Sequence, residues 1–328
     1  MPYLVKTVKG PDQDLPELKI KEHDRRKAPR TMARPPFLCG MFGSRGSGKT
    51  TCLIKMIRWY DKYNAFDRVV IFSPTHKKDP KWEALQNSGM NAKLDLRAKF
   101  DHVQFKQLQR EQDEALVRYD RFLIAVKAYR KWTNHDGDTD KLTEEELISL
   151  YEYDFSDPRD GEMFKHGRPS IMIAFDDHIG NRDVYRGDCK GPVAEFTLLH
   201  RHFNCSMVFM AQVYRTGIPL GIRNNLNVVV FFSNKSISLK ADVAEEMSNF
   251  VSQEQFIDMW TYATESEDHG CFMVIFDADR PEWRFRKNFN QLLMPSSFGD
   301  GSGEEEEDDA VVERDEEETE RPSKRLAK

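Results

Sequence analysis

The nine residues Gly43-Ser44-Arg45-Gly46-Ser47-Gly48-Lys49-Thr50-Thr51 constrain this chain more than any other stretch. They fit G-x-x-x-x-G-K-[ST], between an apolar run at 37–42 and an amphipathic one at 53–60. A strand, a glycine-rich loop and a helix in that order imply an α/β architecture with a phosphate-binding loop. The glycines let successive backbone N–H groups face an anion at a helix N-terminus, where the helix dipole also favours negative charge. Lys49 is placed to neutralise the β and γ phosphates of ATP, and Thr50 to offer its hydroxyl to Mg²⁺.

Short β-branched and aromatic runs recur at 37–42, 68–72, 103–105, 171–175, 207–211 and 228–232. Longer polar or helix-like stretches separate them, the alternation of a mostly parallel sheet covered by helices. Leu53, Ile54, Ile57 and Tyr60 share one helical face that can pack on such a sheet. From 77 to 168 the pattern turns charged and helical, notably at 111–132 and 143–151, and reads as an insertion. A late hairpin is expected from 271–276 and 283–285, with 277–281 as its turn. The expected organisation is a basic arm at 1–34, an ATPase domain at 35–298 and an acidic tail at 299–328.

The apolar run Ile171-Met172-Ile173-Ala174-Phe175 ends in Asp176 and Asp177. A buried parallel strand delivers its last residues to the carboxyl edge of the sheet, where open α/β folds bind ligands. Asp176 is a candidate for Mg²⁺, and Asp177 for orienting or deprotonating the attacking water. An acid pair after a strand also serves as a helix cap. A second strand, 207–211, closes on Gln212, a candidate for sensing the γ-phosphate or positioning water, or else a turn former. Arg201 before it and Arg223 after it are candidates for an arginine finger at a neighbouring subunit's nucleotide, or for local salt bridges. At least one strand is expected between Lys49 and Asp176 in the sequence, which suits the additional-strand class of P-loop ATPases.

The net charge of −6 is unevenly spread. Of 49 basic and 55 acidic residues, five and twelve fall in 304–328, leaving 44 and 43 in a nearly neutral body. The tail has too little apolar surface to offset chain entropy and is expected to be disordered. Five scattered cysteines without C-x-x-C spacing indicate neither a disulfide framework nor a zinc site. No apolar run approaches 18 residues, so a soluble intracellular protein is expected, with no membrane partner. Asn234-Lys235-Ser236-Ile237 lacks the acid that a guanine-reading motif needs, which disfavours a GTP switch.

The order of phosphate loop, Ile71-Phe72-Ser73-Pro74-Thr75, Phe175-Asp176-Asp177, Arg201-His202-Phe203-Asn204-Cys205-Ser206, Ala211-Gln212 and the Pro219–Asn224 segment resembles the genome-packaging ATPases of large eukaryotic DNA viruses. These are relatives of the poxvirus A32 protein, within the FtsK/HerA superfamily. The resemblance covers 36–233. It implies a homo-oligomeric ring that uses ATP and Mg²⁺ to move double-stranded DNA into a capsid, with capsid or portal-type partners, in the host cytoplasm or nucleus and in the virion. By that resemblance Lys49 and Thr50 bind nucleotide and metal, Asp176 supports Mg²⁺, Asp177 is the catalytic carboxylate, Gln212 is the sensor, and Arg201 or Arg223 acts in trans. FtsK and HerA relatives usually carry Glu at the position of Asp177, and the shorter acid needs a closer approach to water. A motor must also grip DNA phosphates. Arg182, Arg186 and Lys190, just after the acid pair, are the expected channel residues. A cellular HerA-like translocase, a small-molecule kinase and a non-motor P-loop interaction protein are the alternatives.

Overall fold

Fully apolar five-residue runs form strands here because both faces of the sheet are covered. In the computed structural model, which describes residues 26–29, 31–161, 163–176, 191–234, 236–278 and 280–295, nine strands make one sheet. They are β1 (Leu38–Phe42), β2 (Arg68–Phe72), β3 (Lys93–Arg97), β4 (Ile171–Phe175), β5 (Cys205–Ala211), β6 (Val228–Phe232), β7 (Cys271–Ile275), β8 (Phe285–Lys287) and β9 (Gln291–Leu292). Their spatial order is β3-β2-β4-β5-β1-β6-β7-β8-β9. The pairings among β1 to β6 are parallel, and β7, β8 and β9 add on antiparallel. β5 lies between β1 and β4, which is the strand order of the additional-strand P-loop class.

Alternate strand residues feed two cores, one on each face of the sheet. Leu38 and Phe42 of β1, with Met207 and Phe209 of β5, point into one. Cys39 and Met41, with Val208 and Met210, point into the other. The second face is covered by α1 (Lys49–Lys62) through Cys52, Leu53, Met56, Ile57 and Tyr60, and by α2 (Pro80–Gln86) through Trp82 and Leu85. The first is covered by the start of α3 (His102–Asn134), then α5 (Pro192–Leu199), the short α6 (Tyr214–Gly217) and α7 (Leu220–Arg223), α8 (Ile237–Glu246) and α9 (Gln253–Glu265).

Three expectations need correction. Residues 103–105 are the first turn of α3, not a strand, because Asp101 accepts hydrogen bonds from the Val103 and Gln104 amides and caps a 33-residue helix. The third strand is β3, inside the segment read as an insertion; its Lys-Leu-Asp-Leu-Arg alternation is that of an outer strand. The helical addition to the sheet is therefore narrower than 77–168. It consists of the far part of α3 with α4 (Glu144–Tyr151), which Thr143 and Glu146 start as a capping box. There Tyr119 and Phe122 pack against Phe164, and Trp132 against Phe155, apart from the two sheet cores. Finally, the arm read at 1–34 is not separate from the domain throughout: Arg26, Met32 and Ala33 are buried, and Tyr60 Oη donates to the Ala33 carbonyl at 2.6 Å.

The hairpin forms as β7 and β8, with the antiparallel register Phe272 to Lys287. Among the described residues no helix is long and apolar enough to cross a membrane. Cys39, Cys52, Cys205 and Cys271 are free and buried.

Candidate nucleotide site

Because β1 to β6 run parallel, their carboxyl ends share one edge, and the loops leaving them converge there. The loop after β1 is tied to the neighbouring strand by the Gly43 amide, which donates to the Ala211 carbonyl at 3.1 Å. Gly46 and Gly48 take left-handed φ values of 79° and 102°. A Cβ on Gly48 would also lie 3.0 Å from His269 Cβ, so both conformation and close approach call for glycine. Lys49 then opens α1, and its Nζ donates to the carbonyls of Gly43 and Ser44 at 2.6 and 2.9 Å.

Around this loop lies a cavity of about 500 Å³. Arg45, Gly46, Ser47, Gly48, Lys49, Thr50 and Thr51 form its floor. Thr75 and Lys78 come from the connection between β2 and α2, Lys81 from the first turn of α2, Asp176 from the end of β4, Met210 from β5, Gln212 from just after it, and His269 from the turn before β7. The fold therefore brings Lys49, Thr50, Asp176 and Gln212 to one place from three separate strands. Asp176 is 5% exposed, its amide donates to the Phe72 carbonyl at 2.9 Å, and its Oδ2 accepts from Ser73 Oγ at 3.0 Å. The first bond fixes the backbone at the strand end and the second orients the carboxylate before any ligand arrives.

The residues fit an anion with a hard cation. Ser47 Oγ is buried within the loop and has no hydrogen-bond partner, the kind of atom that a phosphate oxygen satisfies. Thr50 and Asp176 supply oxygen donors of the type Mg²⁺ prefers. A second cavity, of about 220 Å³, continues from the first through Gly48, Thr51 and His269. Trp59, Phe289 and Asn290 are among its walls.

The arginines fall elsewhere. Arg201 sits in the turn between α5 and β5, at the amino edge of the sheet and a strand's length, roughly 20 Å, from the phosphate loop of its own chain. Arg223 is held within its own chain. Its side chain is 9% exposed, Nη1 donates to the Arg215 carbonyl at 2.8 Å, and the guanidinium stacks 5.0 Å from the Tyr214 ring centroid with Glu246 3.9 Å away. Asp177, Arg182, Arg186 and Lys190 lie outside the described residues.

Sequence reasoning gave no role to Ser73, Lys78, Lys81 or His269. Ser73 had a signal, a hydroxyl closing an apolar strand that neighbours the Asp176 strand. His269 had none, since it reaches the loop only through the antiparallel pairing of β7 on β6, which sets Cys271 against Phe232.

No protein-family model matches the chain, and no curated protein matches it. Among solved structures it is similar to the DNA-packaging ATPase B204 from Sulfolobus Turreted Icosahedral Virus, with 9% identity and a TM-score of 0.43 over 77% of this chain and 97% of that one. It is similar to the genome packaging NTPase B204 from Sulfolobus turreted icosahedral virus 2 in complex with ATP-gammaS, with 10% identity and a TM-score of 0.42 over 80% and 100%. A third likeness is to the cytoplasmic domain of the Thermomonospora curvata Type VII secretion ATPase EccC, with 12% identity and a TM-score of 0.39 over 77% of this chain and 25% of that one. At these identities and TM-scores, what the site does is read from its own residues.

Proposed function

We propose that the chain is an ATPase that works as a homo-oligomeric motor, coupling hydrolysis to the movement of double-stranded DNA into a viral capsid. The observation that carries the ATPase reading is the convergence of Lys49, Thr50, Asp176 and Gln212 on one cavity at the carboxyl edge, with β5 inserted between β1 and β4. The order of motifs in the sequence supports the packaging role.

In this reading the loop amides and Lys49 bind and orient the β and γ phosphates. Thr50 and Asp176 hold Mg²⁺, which when bound neutralises charge shared by those phosphates. Ser73 fixes the Asp176 carboxylate, and Gln212 orients the attacking water against the γ-phosphate. Asp177 accepts the water's proton. The γ-phosphate points toward β5 and β4, where Asp176 and Gln212 stand. The nucleoside leaves the other way, toward the smaller cavity, whose Trp59 and Phe289 rings suit a flat base. Arg182, Arg186 and Lys190 contact DNA phosphates, and capsid or portal-type proteins are the assembly partners.

Steady-state ATP hydrolysis, with and without double-stranded DNA over a range of protein concentration, tests this reading. The motor reading predicts DNA stimulation that rises steeply with concentration and is lost in Asp177→Asn. Robust hydrolysis indifferent to DNA and to concentration would leave an ATPase but remove the motor.

A further inference from the structure

Besides Arg45 and Lys49 of the loop, the cavity is faced by cations the sequence did not single out. Arg223 is stacked and bonded inside its own chain, and Arg201 lies at the opposite edge of the sheet. The connection between β2 and α2 and the first turn of α2, in contrast, line the cavity with Lys78 and Lys81.

Both lysines are exposed, and neither forms an ion pair with a described residue. Asp79, between them in the sequence, is the cap of α2: its Oδ1 accepts from the Lys81 amide at 3.0 Å. The two ammonium groups thus bring positive charge to a cavity that Asp79 and Asp176 also line. Their position along the sheet sets which end of a nucleotide they meet. β2 neighbours β4, and Ser73, the residue after β2, bonds to Asp176. The metal side of a bound nucleotide is its β,γ end, so the β2 connection approaches the γ-phosphate, while His269 and the smaller cavity lie toward β6 and β7.

We propose that Lys78 and Lys81 contact the γ-phosphate in cis and stabilise its charge during hydrolysis; this rests on the nucleotide-site reading above. In the step concerned, the oxygen of water bonds to the γ-phosphorus as the bond to the β,γ-bridging oxygen breaks. The bridging oxygen keeps the electron pair, and ATP and water give ADP, inorganic phosphate and a released proton. Negative charge is spread over the three outer γ oxygens throughout, and positioned cations lower the barrier there. Lysine acts at such a site as a point charge, with no need of the bidentate geometry of arginine.

The test compares the full chain with the double variants Lys78→Gln/Lys81→Gln and Lys78→Arg/Lys81→Arg. ATP and ADP affinities are measured by titration calorimetry with Mg²⁺, and turnover by phosphate release. The glutamine pair is expected to lower kcat at least about a hundredfold, to shrink the preference for ATP over ADP, and to leave ADP affinity as it was. The arginine pair, which keeps both charges, is expected to stay within about tenfold of the native kcat. Unchanged kcat and ATP preference in the glutamine pair would overturn the proposal, as would equal losses of ATP and ADP affinity, which place the lysines away from the γ-phosphate. Failure of the unaltered chain to bind ATP would remove the nucleotide-site reading itself, whereas ATP binding with an indifferent glutamine pair removes only this inference.

Discussion

The two edges of the sheet are built from similar strands and hold opposite kinds of chemistry. At the carboxyl edge, polar side chains are aimed at an open cavity: Lys49, Thr50, Lys78, Asp176, Gln212 and His269 all line it. At the amino edge, polar side chains are spent on the protein itself. Arg26 donates to Asp67, to the carbonyls of Asn64 and Arg168 at 2.9 and 2.8 Å, and to that of Gly167 at 3.3 Å. Gln112 bonds to the carbonyls of Pro169 and Phe203, and Asn204 to that of Pro169. The contrast follows from the parallel topology. Crossover segments that leave the carboxyl ends can change without disturbing the sheet, while those entering the amino ends must satisfy their backbone groups before burial.

The sharpest separation is expected from Lys49→Ala. Removing the cation that the proposed site places at the β and γ phosphates should lower turnover by about three orders of magnitude or more and change the melting temperature far less than Arg26→Ala does, since Lys49 lines the open cavity and Arg26 is buried. Calorimetric melting and phosphate release on the same preparation check both halves.

Arg26→Ala should do the reverse. Its guanidinium is almost fully buried and satisfies three carbonyls and one carboxylate, so its loss should cost about 3 kcal/mol of stability. The melting temperature should fall by roughly 10 °C, with kcat per folded molecule preserved. A fall in kcat without a stability change would break the comparison.

The smallest effect is one of pH. His200, beside the entry to β5, is buried; that burial, with Arg201 and His202 nearby, holds its imidazole below the usual histidine range, although Nδ1 donates to the Thr197 carbonyl at 2.7 Å. A lowered folded value means that the unfolded chain binds the proton more readily. The contribution of His200 to stability is therefore complete above the ordinary histidine pKa of about 6.5 and is lost as pH falls below it. Urea titrations at pH 7.5 and 5.5 should show this loss in the native chain and its reduction in His200→Gln, while ATP affinity at pH 7.5 is the same in both.

Legibility in the sequence followed the same division. The central strands were readable because burial on both faces makes them uninterrupted apolar runs, as in Val228-Val229-Val230-Phe231-Phe232. β3 was hidden because an outer strand keeps its charges: Arg68 and Arg97 both pair with Asp95, so the run looks like helix surface. Residues 103–105 misled for the opposite reason, their apolar side chains belonging to a helix start that Asp101 alone announces. In the site, Lys49, Thr50 and Asp176 were legible because strand ends and glycine loops fix positions locally. Lys78 and His269 were not, because they reach the cavity through the pairing of β2 beside β4 and of β7 beside β6, which no local pattern encodes.

The most direct test of this division is to measure ATP hydrolysis and thermal unfolding side by side on the native chain, Lys49→Ala and Arg26→Ala. The account predicts hydrolysis by the native chain, a stable but inactive Lys49→Ala, and a destabilised Arg26→Ala whose folded fraction still hydrolyses ATP. Native protein without hydrolysis, or Lys49→Ala as active as the native chain, would contradict it.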